Sequence, residues 1–458
     1  MPSIILMENA AHAVARVITE ELGTDITASI LCGPGNNGGD GAAVARILWS
    51  KGADVDVYLF GAVDNTSGDA RTNFDAIKKI GERDPPFAPY LFLHESREID
   101  VGTQQRILRS HVVVDAVYGT GLSRPLPANI SELFKALGVR TRNAVRGHRP
   151  LLISVDIPSG LNADSGYEFQ DAFQSDCTVT FTSPKAANVL APNYKKNGKL
   201  IVEQIGSPYE LLDEVETKLE IWEKHDINDF LRRLKFTDDS YKNKRGHALV
   251  IAGSETYSGA AVLAGNSAIR SGVGLVTLAC PAEAKTEIAS RLLPEVILAT
   301  LRSPEFDELA PKANAIAVGP GLSATDPDIE SLVRKVVEER TTPVIVDAGA
   351  LWFFNPPSGV PTRDADDGVR VPLILTPHEG EFMRLLGTDD KDAMKDRVAT
   401  VREFSQANNV ILVLKGERVL IGHPDGRVVV NPTGNSGLGK AGNGDTLTGV
   451  LAGFCAQA

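Results

Sequence analysis

The chain has 458 residues, 43% apolar side chains, 42 glycines and a formal charge of −12 at pH 7. This length implies two or three domains with large buried cores. An acidic balance without a basic cluster excludes a broad nucleic-acid surface, and no apolar run reaches the roughly 18 residues that would suggest a membrane span.

The start, MPSIILMENAAHAVA, has no basic leader and meets Glu8 early, so no secretory signal is expected. The first half then alternates strand-like and helical patterns: ASILCG (28–33), a helix at GAAVARILWSKG (41–52), and ADVDVYLFG (53–61). Further strands are expected at HVVVDAVYG (111–119), LLISVDIPSG in the 150s, CTVTFTS (177–183) and GKLIVEQIG (198–206). Such alternation implies a parallel sheet with helices on both faces. Residues 207–241 are charged and poor in glycine, which marks a boundary. The expected division is a first domain over 1–206, a linker over 207–236 and a second domain over 237–458.

A second α/β series runs through GHALVIAGS (246–254), GLVTLAC (274–280), NAIAVGPGL (314–322), PVIVDAGAL (343–351), PLILTPHEGE (372–381) and VILVLKG (410–416). RVLIGH (418–423) and GRVVVNP (426–432) read as a hairpin. The four scattered cysteines (Cys32, Cys177, Cys280, Cys455) have neither pairing nor metal spacing. They fit a reducing, cytoplasmic setting.

The densest chemical signal is SGLGKAGNGDTLTG (436–449), a glycine-rich turn running into a helix. Its N–H groups could approach a phosphate, and the helix dipole would favour the negative charge. Asp445 sits where a base could face a transferred phosphoryl group. By itself the stretch is equally a helix start with Asp445 as N-cap. In the first half, GPGNNGGDG (33–41) joins a strand to a helix but matches neither the dinucleotide glycine spacing nor a P-loop.

Asp115, Asp156 and Ser159 stand at the carboxyl ends of expected strands, where open α/β sheets bind ligands. Asn37, Asp115 and Ser159 offer an amide oxygen, a carboxylate and a hydroxyl, a set suited to a hard cation. Asn37 and Ser159 serve as well simply to shape turns. Asp156 is either a general base or a carboxylate capping the turn at 158–160.

Together with LMENAA (6–11), DAVYGTGLSRP (115–125), VDIPSGLNADSG (155–166) and TVTFTSPK (178–185), these motifs resemble the NAD(P)H-hydrate epimerase family, a Rossmann-like three-layer α/β fold, over about residues 1–205. The resemblance implies exchange between the two epimers of the hydrated nicotinamide cofactors, NADHX and NADPHX. It implies that Asn36, Asn37, Gly38, Gly39, Asp40, Gly119, Thr120, Gly121, Leu122, Ser123, Arg124, Pro125 and Asp156 contact this substrate. Asn37, Asp115 and Ser159 would bind K+, and Asp156 is the candidate for proton transfer.

The second half resembles the ADP/ATP-dependent NAD(P)H-hydrate dehydratase family, a ribokinase-like α/β fold, over about residues 237–458. The matching segments include YSGAAVLAGNSAIRSGVGLVTLA (257–279), LPEVI (293–297), VGPGL (318–322), VDAGAL (346–351), TPHEGEFMRLL (376–386), LKGERV (414–419) and GNSGLGKAGNGDTLTG (434–449). The resemblance implies that Lys415, Gly416, Glu417, Arg418, Val419 and Gly444 bind an adenine nucleotide, ADP or ATP, accompanied by Mg2+. Ala260, Gly321, His378 and Asp445 would face the hydrated cofactor. Taken from its position alone, His378 is a satisfied turn histidine.

Relatives carry more sequence before LMENAA and after the last helix, so the chain is expected to be short at both ends, with Leu447, Val450, Leu451 and Phe454 packing on the sheet. YSGA stands where relatives often have two adjacent glycines, and Asn443 where they often have Thr or Ser. A homo-oligomer is expected, with neither nucleic acid nor membrane as partner. Competing readings are a vitamin-precursor kinase on the same scaffold, or a non-catalytic scaffold use of the first half.

Overall fold

Seven short, predominantly apolar segments form the first sheet: β1 (Thr27–Cys32), β2 (Asp54–Leu59), β3 (Leu91–Glu95), β4 (Val112–Ala116), β5 (Leu151–Val155), β6 (Cys177–Phe181) and β7 (Lys199–Glu203). The structure is a computed structural model. It describes residues 1–457 apart from 83–88, 97, 144–148, 167–170, 209, 211–217, 235–236 and 362–370. The chain divides into two compact units, Met1–Glu216 and Thr217–Ala458.

In the first unit every strand pair is parallel, in the order β3-β2-β1-β4-β5-β6-β7. A sheet with both faces covered needs apolar residues on both sides of each strand, hence the continuous runs. Helices α1 (Ser3–Leu22), α2 (Asn36–Ser50) and α3 (Gly68–Gly81) close one face over Ile30, Val55, Val57 and Val114. Helices α4 (Val101–Arg109) and α5 (Ala128–Asn143) close the other over Leu31, Tyr58 and Val113. The strand order reverses between β1 and β4, so their carboxyl ends splay apart and leave a crevice.

The glycines of 33–41 are there for close approach. A Cβ on Gly38 would lie 1.7 Å from the Gly33 carbonyl oxygen, and one on Gly33 would lie 2.0 Å from that of Val117.

The second unit is built on a ten-stranded sheet in the order β11-β10-β9-β12-β13-β14-β15-β16-β17-β8. Its parallel part comprises β9 (His247–Ile251), β10 (Leu275–Cys280), β11 (Ile297–Thr300), β12 (Ala315–Val318), β13 (Val344–Val346), β14 (Leu373–Leu375) and β15 (Ile411–Leu414). The expected hairpin is present as β16 (Val419–Gly422) against β17 (Val428–Asn431), antiparallel. The 207–236 segment, expected as a linker, supplies β8 (Leu219–Ile221), which pairs with β17. It also supplies helix Lys224–Arg233, whose Phe230 meets Phe454 edge-on at 5.3 Å. The rest of that segment lies partly outside the described residues.

The last helix, Asn443–Gln457, departs from the expectation of a Leu447, Val450, Leu451 and Phe454 face. Its buried residues are Thr448, Gly449, Ala452, Gly453 and Ala456, while the larger side chains are only partly covered. The small residues let the helix lie directly on helix Ser258–Arg270. A Cβ on Gly449 would stand 2.1 Å from the Ala264 carbonyl oxygen. Gly449→Val should therefore force the two helices apart, at a cost of about 1–3 kcal/mol. By calorimetry the second unit's melting temperature should fall by several degrees while that of the first stays put. An unchanged melting temperature would show that the helices do not pack this closely.

Candidate active sites

In the first unit, Asp115 is the penultimate residue of β4 and is wholly buried. Its Oδ1 accepts the Ser159 hydroxyl at 2.6 Å and the Val117 N–H at 3.3 Å. Its Oδ2 accepts the Ser159 N–H at 2.8 Å and the Ser154 hydroxyl at 3.0 Å. Burial pushes the Asp115 carboxyl up to about 6, opposed by these donors. The Tyr118 N–H donates to Ser159 Oγ at 2.8 Å, so one serine ties the loops after β4 and β5 together. Asn37, in the first turn of α2, lies against Gly119: a Cβ there would be 3.3 Å from Asn37 Oδ1. The Asn37 Nδ2 is buried without a hydrogen-bond partner among the described residues.

Asp156 follows β5 in the left-handed region, at φ 68°. Aspartate tolerates that conformation better than most residues. Its Oδ1 receives the Lys185 ammonium at 2.5 Å and the Thr180 hydroxyl at 2.9 Å. Lys185 is itself fixed by the Phe181 carbonyl at 3.0 Å and by Thr180 Oγ1 at 3.2 Å. Asp40, one turn into α2, faces the same space. Burial, reinforced by the charge of Asp156, pushes its carboxyl up to about 8. Leu122 is buried, whereas Thr120, Gly121, Ser123, Arg124 and Pro125 are exposed on the loop after β4. The crevice thus holds a buried oxygen cluster on one side and a pair of carboxyls on the other.

In the second unit, Asp445 lies in the first turn of helix Asn443–Gln457 rather than capping it. Burial and the neighbouring Asp347 raise its carboxyl above the ordinary range, while Lys415 opposes the shift. Asp347, just after β13 and 1% exposed, bonds to the Lys415 ammonium at 2.8 Å and to the Thr448 hydroxyl at 2.7 Å. Glu381 Oε2 lies 4.0 Å from the same ammonium. Gly444 is cut to fit: a Cβ there would lie 3.4 Å from Lys415 Nζ.

His378 caps helix Glu379–Leu386, with Nδ1 accepting the Glu381 N–H at 3.2 Å, and its ring is more than half exposed. That bond commits Nδ1 as an acceptor, and Nε2 lies 3.5 Å from Glu381 Oε2. An isolated parallel bridge joins His378 to Lys415. Gly321, at φ 68°, presses on the start of helix Ser258–Arg270: a Cβ there would lie 3.0 Å from Ala260 Cβ.

Two family models cover most of the chain: a YjeF-related protein N-terminus over residues 3–187, and NAD(P)H-hydrate dehydratase over 248–458. A bifunctional NAD(P)H-hydrate repair enzyme of Moorella thermoacetica is 36% identical over 100% of this chain and 84% of its own length. One of Thermofilum pendens is 35% identical over 98% and 82%. The chain belongs to the bifunctional NAD(P)H-hydrate repair enzyme family. The second unit is also similar to the crystal structure of the ADP/ATP-dependent NAD(P)H-hydrate dehydratase of Bacillus subtilis. That match has 34% identity and a TM-score of 0.44, covering 52% of this chain and 82% of that one.

For a repair-family chain, the expected residues gather as two clusters, one in each unit. Asn37, Asp40, Asp115, Gly119, Asp156 and Ser159 share the first crevice. Asp445, Gly444, Lys415 and His378 stand together in the second unit, with Ala260 beside Gly321. The Lys415–Val419 stretch is spread more widely. Lys415 turns to Asp347, whereas Arg418, at φ 54°, donates to the Pro432 carbonyl at 2.7 Å, and Val419 opens β16.

Two residues escaped the sequence reading. Lys185 follows the strand beside β5, and Asp347 follows an apolar run as Asp115 does. The rule that strand carboxyl ends carry function could have found both.

Proposed function

We propose that this chain repairs hydrated NAD(P)H in two steps at two sites. The first unit interconverts the two NAD(P)HX epimers, and the second dehydrates the (S) epimer at the expense of ADP or ATP. The observation that carries this reading is Asp445. It is a half-buried carboxyl with a raised proton affinity, at a glycine-lined helix start and beside the Asp347–Lys415 pair.

Hydroxide is a poor leaving group. Asp445 would take the proton of the substrate hydroxyl as that oxygen attacks the terminal phosphate. The N–H groups of Gly442–Gly444 would hold the developing charge. The phosphorylated oxygen then leaves readily as phosphate. Mg2+ arriving with the nucleotide would neutralise phosphate charge. Lys415 and the Gly416–Val419 turn would meet the nucleotide. Ala260, Gly321 and His378 would meet the hydrated cofactor.

In the first unit, Asp156 would move the proton of the hydroxyl on the hydrated ring carbon. The NNGGD residues 36–40 and the loop 119–125 would hold the substrate. The oxygens of Asn37, Asp115 and Ser159 fit K+. The cation would replace the Ser159 proton as partner of Asp115 Oδ1 and relieve the burial of that carboxylate.

Among the described residues no helix is long and apolar enough to cross a membrane. A cytoplasmic homo-oligomer is part of the same proposal.

The test is a time course of NADH appearance from mixed NADHX epimers with ADP or ATP, with and without K+. Complete conversion, with a slow second phase when K+ is withheld, supports the proposal. Accumulation of a phosphorylated product without NADH would contradict it.

A further inference from the structure

The two carboxyls of the first crevice are held in different ways. Asp156 is ion-paired with Lys185 and accepts the Thr180 hydroxyl. Asp40 takes part in no side-chain hydrogen bond or ion pair among the described residues. It is set in a helix turn walled by Gly38, Gly39 and Gly41, where a Cβ on Gly41 would strike Ala116 and Cys32. The ionisable groups whose fields it shares are Asp156, from the loop after β5, and Cys32, at the end of β1. One group is therefore built to be an anion and its neighbour to stay neutral, the arrangement that divides acid and base roles between two carboxyls. The neutral member keeps its proton up to about pH 8.

The substrate needs such a division. Its hydroxyl-bearing carbon is bonded to the ring nitrogen, so inverting that carbon requires a bond to it to break and reform. We propose that Asp40 is the proton donor to the ring nitrogen and Asp156 the acceptor from the hydroxyl, with Lys185 the positioning residue that holds Asp156. This deepens, and rests on, the epimerase reading above.

The step balances without a co-reactant. Asp156 takes the hydroxyl proton, the C–O bond becomes a carbonyl, and the C–N bond breaks. The electron pair left on nitrogen takes the proton of Asp40. Rotation about the adjacent C–C bond turns the other carbonyl face to the nitrogen. The reverse steps then close the ring, return the nitrogen proton to Asp40 and the Asp156 proton to the new hydroxyl.

The experiment follows (R)-to-(S) NADHX interconversion by chromatography from pH 6 to 10, using the full chain, Asp40→Asn, Asp40→Glu and Lys185→Met. The wild type should lose kcat above about pH 8, as Asp40 ionises. Asp40→Asn should lose about 100-fold or more in kcat with KM within a few-fold, and its alkaline limb should disappear. Asp40→Glu should recover part of the rate and keep the limb, and Lys185→Met should lose kcat with KM within a few-fold and the alkaline limb still in place.

Melting temperatures supply a readout independent of turnover. A carboxyl whose folded value lies above its unfolded one contributes stability below about pH 4 that is lost as pH rises to about 8. Asp40→Asn should therefore melt higher than wild type at pH 9, with a smaller difference at pH 5. Near-normal kcat in Asp40→Asn, or a loss confined to KM with the alkaline limb in place, overturns the proposal. A wild type that does not interconvert the epimers at all overturns the epimerase reading along with it.

Discussion

Asp445→Asn is expected to lower nucleotide-dependent NADH formation by about 10²–10⁴-fold, the usual weight of a positioned general base. This corresponds to about 3–5 kcal/mol of transition-state stabilisation. The amide keeps the shape of the side chain and removes a like charge beside Asp347, so the fold should survive. Epimerisation, assayed by chromatography in the same preparation, should be unchanged because no residue of that crevice lies in the second unit. Loss of both activities in a folded protein would refute the two-site account.

Asp156→Asn is expected to do the converse. Asparagine tolerates the left-handed backbone at φ 68° that most side chains resist, so the loop after β5 should keep its path. The variant removes the anion opposite Lys185 and with it the proton acceptor. Given mixed epimers, nucleotide and Mg2+, NADH should appear at the normal initial rate. It should then stall once the dehydratable epimer is consumed, followed only by slow spontaneous epimerisation. Complete conversion at the wild-type rate would exclude Asp156 from the reaction.

The central parallel strands were legible because each is covered on both faces and so reads as an apolar run: SILC in β1, VVV in β4, VIV in β13. Of the edge strands, β7 was expected, but β3, β11 and β8 were not. β3 and β11 are short, five and four residues, and each leaves a large apolar side chain, Phe92 or Ile297, exposed. In β8, only three residues pair, at the rim of the second sheet. The final helix misled for a related reason. Its tight contact with helix Ser258–Arg270 uses glycine and alanine, which carry little hydropathy, while its large side chains lie half outside.

The sites divide in the same way. Glycine loops announce themselves locally, because Gly33, Gly38 and Gly444 are needed where backbone or charged groups come within a side chain's reach. The ion pairs do not. Lys185 reaches Asp156 across 29 residues, and Lys415 reaches Asp347 across 68. Only the order of the strands brings their ends together. For His378 the structure shows the turn role, with Nδ1 spent on the helix cap and a ring that stays more than half exposed.

The central claim is that one chain carries two independent sites, and mixing the two disabled variants tests it most directly. Asp445→Asn and Asp156→Asn should each leave mixed NADHX epimers incompletely converted when supplied alone with nucleotide and Mg2+. Combined in equal amounts, they should carry the whole mixture to NADH, because each supplies the site the other lacks. A mixture that stops at the same fraction as Asp156→Asn alone would contradict the account.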